Sequence, residues 1–325
     1  MDVSIVIPLL NEQDSIEELF HRIKTVCQNQ GYQFEVIFVD DGSTDHSWQI
    51  IEFLSEAHPE IKGIRFRKNY GKSQAFMAAF KEAKGKHLIT MDADLQDFPE
   101  EIPGLIDVLQ TKNADIVSGW KQNRQDPKFT KNFPSKLFNA VARKVSGLEL
   151  HDFNCGLKAY RTEVAQEIQL HGDMHRYIPV LAKNLGFERI VEKKVKHQAR
   201  KHGHSKFGNS RFVNGFLDLI TLSFISKFGN KPMHLFGALG TIMFVIGFLS
   251  ALYLGLDKLF KVYIAEKNAR LITDNPFFYI ALTTMMLGTQ MFLAGFLGEI
   301  LVRSKKNKNE FEIRDTLNFN QKINS

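Results

Sequence analysis

Two stretches of this chain, 233–256 and 275–298, run for 24 residues each without an Asp, Glu, Lys or Arg. At about 1.5 Å rise per residue, a helix of that length crosses a hydrocarbon core of about 30 Å. The ordinary alternative is a buried core helix, but core helices rarely stay uncharged for so long, so the expectation is two membrane spans. Lys227 and Lys231 precede the first stretch, and Arg303, Lys305, Lys306 and Lys308 follow the second. The connection between them mixes Lys258, Lys261, Lys267 and Arg270 with Asp257, Glu266 and Asp274. The positive-inside rule then places both ends in the cytoplasm, although the basic residues of the connection reduce the contrast. Small residues recur in both stretches (Gly237, Ala238, Gly240; Gly288, Ala294, Gly295, Gly298) and permit close helix packing, within one chain or in a homo-oligomer. Just before the first stretch, 212–228 spaces Phe212, Val213, Phe216, Leu217, Leu219 and Ile220 around Asn214, Asp218 and Lys227. That is the pattern of an amphipathic helix in the headgroup plane, or equally of a helix packed on a soluble domain.

The residues before this region read differently. Short apolar runs rich in β-branched residues at 3–9, 34–39, 61–67, 87–91 and 115–118 alternate with helical spacing at 14–28, 47–57, 73–83 and 102–111. Strands alternating with helices imply right-handed crossovers and a mostly parallel sheet covered on both faces. Ligands of such sheets sit beyond the carboxyl ends of the strands. Three polar clusters fall there: Asn11 and Glu12 after Pro8, Leu9 and Leu10; then Asp40, Asp41, Gly42, Ser43, Thr44 and Asp45; then Asp92, Ala93, Asp94, Leu95, Gln96 and Asp97. No glycine-rich dinucleotide fingerprint and no Walker motif appears, which disfavours dehydrogenases and P-loop enzymes. A lone D-x-D is most often a solvated turn. Placed directly after a buried strand beside a second acidic strand end, it offers carboxylate oxygens to a hard cation, Mg²⁺ or Mn²⁺, which completes its shell with phosphate and water.

The remaining composition narrows the setting. Net charge is +6, which suits an anionic partner of any kind; two spans and acidic strand ends disfavour nucleic acid. Cys27 and Cys155 are the only cysteines, with neither zinc spacing nor a disulfide framework, as in a reducing compartment. The N-terminus leads directly into a strand-like run with no signal-peptide pattern.

The run Ile5-Val6-Ile7-Pro8 through Asn11-Glu12, then Val39-Asp40-Asp41-Gly42-Ser43, then Asp92-Ala93-Asp94-Leu95-Gln96, resembles the inverting family-2 glycosyltransferases of GT-A fold. With the two-span tail, the chain is similar in particular to the polyprenyl-phosphate glycosyltransferases, the group of dolichol-phosphate mannose synthase. The resemblance implies an α/β fold: a GT-A, Rossmann-like, mostly parallel catalytic domain over 1–207, followed by a juxtamembrane helix over 208–231, two transmembrane helices over 232–302 and a basic cytoplasmic tail over 303–325. It implies a metal-dependent hexosyltransferase with a nucleotide-sugar donor, UDP- or GDP-linked, and a polyprenyl phosphate acceptor, undecaprenyl or dolichyl, at the cytoplasmic face of a membrane, most simply the bacterial inner membrane.

Roles carry over residue by residue. Pro8, Leu10, Glu12, Val39 and Asp41 fall at the nucleoside; Leu10 stands where some relatives have an aromatic residue. Asp92 and Ala93 fall at the ribose and diphosphate. Asp94 and Gln96, with Asp92, fall at the Mg²⁺ or Mn²⁺. Lys121 stands where relatives tend to have arginine, and a lysine makes no bidentate fork. Arg200 to Phe207, Arg-Lys-His-Gly-His-Ser-Lys-Phe, resembles the family's basic segment before the membrane. Read as residues alone, it is a charge cluster in a glycine-containing loop, either a solvated membrane-facing patch or a phosphate clamp of Arg200, Ser205 and Lys206, with Ser205 and Lys206 toward the lipid phosphate. Asp152, in Asp152-Phe153-Asn154-Cys155-Gly156-Leu157-Lys158, is the candidate catalytic carboxylate, with Asp97 as the alternative; Cys155 reads as structural. Two other readings stay open. A processive polysaccharide synthase usually carries an Arg-Trp acceptor motif, and neither Trp48 nor Trp120 follows an arginine. A non-catalytic membrane scaffold retaining the fold has no need of Asp92, Asp94 and Gln96.

Overall fold

The computed structural model describes residues 1–122, 142–143, 146–170, 172, 174–198, 224, 228, 231–264, 271–304 and 311–319. The described residues fall into two units, 1–226 with 309–325, and 227–308.

The first unit is built around strand β1, Val3–Leu9, whose seven residues are all buried. A strand buried along its whole length needs cover on both faces, as parallel sheets have. It lies between β2, Phe34–Asp40, and β4, His87–Thr90, both parallel to it. Beyond β2 comes parallel β3, Ile61–Phe66. Beyond β4 come antiparallel β6, Lys158–Arg161, then β5, Ile116–Trp120, then β7, Ile190–Lys194. The far edge is closed by β8, Ile313–Leu317, antiparallel to β3, giving the order β7-β5-β6-β4-β1-β2-β3-β8.

Period-2 alternation sends β1 and β2 residues to opposite faces. Val3, Ile5, Ile7, Val36 and Phe38 pack against helices α1 (Ile16–Asn29), α2 (Ser47–Ala57) and α4 (Ile102–Thr111). Val6, Ile37 and Val39 pack on the other side, against α3 (Lys72–Glu82), α5 (Thr162–Glu167) and α6 (Ile178–Asn184). The mostly parallel α/β expectation holds. The two antiparallel strands β6 and β8 are additions to it, and β8 lies inside the segment that reads from sequence as a basic tail.

Phe311 anchors β8, 6% exposed and stacked on Phe66 with centroids 5.1 Å apart. At the other end, Asn318 Nδ2 donates to the carbonyls of Ser55 (3.0 Å) and Ile61 (2.9 Å).

The second unit is an antiparallel hairpin of α7, Pro232–Tyr263, and α8, Pro276–Ser304. Both helices are long and apolar enough to cross a membrane. Their outer faces expose Ile246, Leu249, Phe277 and Phe296, a surface that water does not favour. The helices meet backbone to backbone: a Cβ on Gly240 would lie 2.6 Å from the Gly288 carbonyl oxygen, and one on Gly288 would lie 2.6 Å from that of Gly240. Of the small residues singled out in the sequence, Gly240, Gly288 and Gly295 thus pack the two helices on each other, while Ala238 and Ala294 are exposed. At about 1.5 Å per residue, the 32 residues of α7 extend about 48 Å, longer than an apolar core. Its last turns carry the i,i+4 pair Asp257–Lys261. The juxtamembrane helix expected over 208–231 lies largely outside the described residues.

Candidate functional site

The three polar clusters that follow β1, β2 and β4 emerge at one edge of the sheet. Parallel β1, β2, β3, β4 and β5 end there, and antiparallel β6 begins there, with Lys158 opposite Thr90 and Ser118.

At the β1–β2 side, the loops after the two strands are zipped together. The Asn11 N–H donates to Ser43 Oγ (2.9 Å), Glu12 N–H to Ser47 Oγ (3.0 Å), and Thr44 N–H to Asn11 Oδ1 (2.8 Å). Asn11 adopts φ 55°, a left-handed conformation that asparagine tolerates better than most residues. Pro8 and Val39, two of the expected nucleoside residues, are cross-strand partners. Val39 is 0% exposed and belongs to the core, so it supports the cleft from beneath. Leu10 and Glu12 are half-buried beyond the strand end.

Asp41 is turned toward the next strand end. Its two carboxylate oxygens accept the N–H groups of Tyr70 (2.7 Å) and Gly71 (2.9 Å). Burial pushes its pKa up to about 6, against the pull of those two hydrogen bonds. Gly42, at φ +78°, lies so close to this turn that a Cβ would stand 2.6 Å from the Lys68 carbonyl carbon. Asp41 and Gly42 therefore set the turn over 68–71, and that turn delivers Lys72 as the first residue of α3.

The loop after β4 holds three aspartates. Asp92 is ion-paired with Lys72. Burial would raise the Asp92 pKa, but Lys72 and then Lys121 hold it well below the usual carboxylate range. Asp94, 7% exposed, accepts the Gln96 N–H at Oδ1 (3.1 Å). Asp97 is 1% exposed, and Lys121 Nζ lies 2.7 Å from its Oδ1. Burial raises the Asp97 pKa, and Lys121 offsets part of that. Between them Leu95 sits at φ 58°, a left-handed conformation costing a branched side chain roughly 1–2 kcal/mol. The loop is held in it from outside: Gln198 Nε2 donates to the Leu95 carbonyl (2.5 Å) and Gln198 N–H to that of Gln96 (3.1 Å).

The segment before β6 closes the other side. Gly156 passes directly over Asp92: a Cβ there would lie 2.6 Å from Asp92 Oδ2. Thr90 Oγ1 donates to the Gly156 carbonyl (2.8 Å), which fixes that approach. Gly156→Ala is expected to push the Asp92 carboxylate aside, cutting activity about 100-fold, since about 1 Å of misplacement costs that much. The melting temperature should move by only a few degrees; activity within threefold of wild type would show that Asp92 tolerates the displacement.

Asp152, 2% exposed, accepts the Asn154 N–H (3.1 Å), and its own N–H donates to Glu192 (3.0 Å). The structure thus sets Asp97, rather than Asp152, against Lys121. Burial pushes the Cys155 thiol up to about 12, so it stays neutral and structural.

Three basic residues at this edge were not singled out in the sequence: Lys72, Lys158 and His175. Lys158 is 3% exposed and donates to the Cys155 carbonyl. The His175 N–H donates to Ser73 Oγ (3.0 Å), and burial, with Lys72 adding to it, pushes the imidazole down to about 3, so it is neutral. The usable signal was the fourth strand end, after β3, where Lys68 to Lys72 supply cations opposite the acidic clusters. Arg200, Ser205 and Lys206 lie outside the described residues.

No group of three or more His, Cys, Asp or Glu side chains forms a preformed metal cage among the described residues. The donor set is nevertheless that of a hard divalent cation: carboxylates from Asp92 and Asp94 and the amide oxygen of Gln96. Such an ion takes few protein ligands and draws the rest of its shell from phosphate and water.

The family model described as Glycosyl transferase family 2 matches residues 4–169. Among curated proteins, a dodecaprenyl-phosphate galacturonate synthase of Rhizobium johnstonii is 33% identical over 306 residues, 94% of this chain and 88% of its own length. An undecaprenyl-phosphate 4-deoxy-4-formamido-L-arabinose transferase of Edwardsiella ictaluri is 34% identical over 302 residues, 93% of this chain and 89% of its own. Among solved structures, glucosyl-3-phosphoglycerate synthase of Mycobacterium tuberculosis with Mn²⁺, uridine diphosphate and glucosyl-3-phosphoglycerate superposes at TM-score 0.53 and 18% identity, over 69% of this chain and 79% of that one. At that identity the likeness speaks for the fold: the α/β GT-A architecture.

Proposed function

This chain belongs to glycosyl transferase family 2, and from that membership we propose that it transfers a sugar from a UDP- or GDP-linked donor to a polyprenyl phosphate at the cytoplasmic face of a membrane. The observation that carries the acceptor is the reach of the alignments. Relatives named for dodecaprenyl and undecaprenyl phosphate match 94% and 93% of the chain, so the match takes in the α7–α8 hairpin as well as the sheet. The basic flanks Lys227, Lys231, Arg303, Lys305, Lys306 and Lys308 support a cytoplasmic sheet unit.

In this reading Asp94, with Asp92 and Gln96, holds Mg²⁺ or Mn²⁺ together with the donor diphosphate. Bound there, the cation neutralises charge that builds on the departing diphosphate. Lys121, brought to this edge by β5, adds a second positive charge. Leu10 and Glu12 line the nucleoside end, over a floor of Pro8 and Val39. Asp41 acts through the turn it fixes. Arg200, Ser205 and Lys206 clamp phosphate oxygens, Ser205 and Lys206 those of the lipid.

The nucleophile needs little activation. A phosphate monoester has a second pKa of about 6 and is largely dianionic at neutral pH. One of its oxygens bonds to the anomeric carbon as the bond from that carbon to the diphosphate oxygen breaks. The bonding pair leaves with the nucleoside diphosphate, and the configuration inverts. Catalysis then rests on orientation and charge, and a buried Asp152 orients its loop rather than taking a proton.

The test is radiolabel transfer by the full-length protein in detergent. Undecaprenyl phosphate and Mg²⁺ or Mn²⁺ are supplied with a panel of UDP- and GDP-sugars, galacturonate and formamido-arabinose donors included. Labelled lipid with one donor, lost on adding chelator, is the expected result. No labelled lipid with any donor, from protein that melts cooperatively, would overturn the proposal.

A further inference from the structure

The first charge that meets Asp92 comes from the protein itself. Lys72 Nζ pairs with Asp92 Oδ1 while Gly156 walls off the carboxylate from the other side. Both partners are about one-third exposed, at 31% and 32%, so the pair stands in the open cleft rather than in the core. Lys72 has a place in the fold that does not depend on Asp92. It opens α3, its Nζ lies 5.6 Å from the Phe76 ring centroid, and its backbone is pinned by the Asp41-bound turn rather than by the ion pair. The side chain can therefore leave Asp92 without disturbing the fold.

A divalent ion and an ammonium cannot both sit in contact with one carboxylate oxygen, since two cations at that separation repel. We propose that Lys72 guards Asp92 in the empty enzyme, opposes entry of a free divalent ion, and passes to the donor diphosphate when metal and nucleotide arrive together. This rests on the transfer reading above. Three aspartates, Asp92, Asp94 and Asp97, face two lysines, Lys72 and Lys121, so the cluster carries one net negative charge. Adding a dication and a diphosphate ester of two negative charges restores that same balance, with the lysine moved from carboxylate to phosphate. Lys72 also stands at a helix N-terminus, where N–H groups and the macrodipole favour the phosphate it follows. The consequence is an enzyme that binds its cation as the nucleotide complex and poorly alone.

The test measures Mn²⁺ binding to the full-length protein in detergent, by the electron paramagnetic resonance signal of free Mn²⁺, without turnover. Lys72→Met is expected to bind Mn²⁺ alone about fivefold more tightly than wild type, the upper range for an exposed ion pair. The tightening of Mn²⁺ binding by added UDP or GDP should shrink in the same variant, and the transfer rate should fall about 100-fold. Lys72→Arg keeps the charge and should bind Mn²⁺ alone as wild type does; Lys112→Met, on the exposed end of α4, is the neutral control. Equal or weaker Mn²⁺ binding by Lys72→Met overturns the proposal, as does tighter binding by Lys72→Arg. Tighter binding by Lys72→Met, with no sugar transferred by the wild type, would instead sink the transfer reading and leave the guard in place.

Discussion

Asp94→Ala is expected to lower sugar transfer by about three orders of magnitude while leaving the protein folded. The size follows from the cation that this residue is proposed to hold. A divalent cation at the departing diphosphate contributes several kcal/mol to the transition state, and each 1.4 kcal/mol is about tenfold in rate. Asp94 shares its loop with Asp92 and Asp97, which pair with Lys72 and Lys121. Its carboxylate also receives the Gln96 N–H, so removing it loosens the amide that follows. The stability cost should be about 1 kcal/mol, the worth of one such hydrogen bond. Two readouts separate metal loss from a collapsed loop: the variant should melt close to wild type, and chelator should lower its residual activity no further. Activity within tenfold of wild type would move the cation to other residues.

The second large effect is on stability. Phe311→Ala should cost about 3 kcal/mol, the lower range for a buried phenylalanine, which for a unit of this size is about 6–12 °C in melting temperature. Phe311 stacks on Phe66 and packs with Phe80 and Ile64 in the cluster beneath α3. Deleting 309–325 should cost more, because β3 then becomes an open edge with unpaired backbone groups, an invitation to aggregation. Phe53→Ala, at a side chain 72% exposed, is the matched control and should change nothing. If the deletion melts with the full-length protein, β8 contributes nothing to the sheet.

How much of this was legible beforehand depended on how each element signals itself. Strands β1 to β5 are apolar and β-branched, and their helices show a clear period. The sheet's parallel part and its acidic edge therefore follow from pattern alone. β6 is only Lys158 to Arg161, with a charge at each end, and it becomes a strand because its backbone fits between β4 and β5. β8, Ile-Arg-Asp-Thr-Leu, follows a basic run, and what defines it is the edge of β3, paired across positions as far apart as Gly63 and Leu317, which no local pattern reports. In the site, carboxylates announced themselves by clustering after strands. Lys72 did not, because one lysine at a helix start looks like any other; only the turn fixed by Asp41 aims it at Asp92. The buried Lys158 and the half-buried His175 were hidden for the same reason, being single residues whose partners come from other segments.

The position of β8 also bears on how the protein is made. A ribosome delivers β3 well before β8, with both apolar helices emerging between them. For most of synthesis the growing sheet keeps an exposed edge, and the strand that covers it arrives only after the hairpin has left the exit tunnel. A chain whose hairpin enters the bilayer by one helix alone would leave β8 on the wrong side and β3 uncovered. If the hairpin spans a membrane, closing the sheet with β8 thus requires that both helices have crossed it.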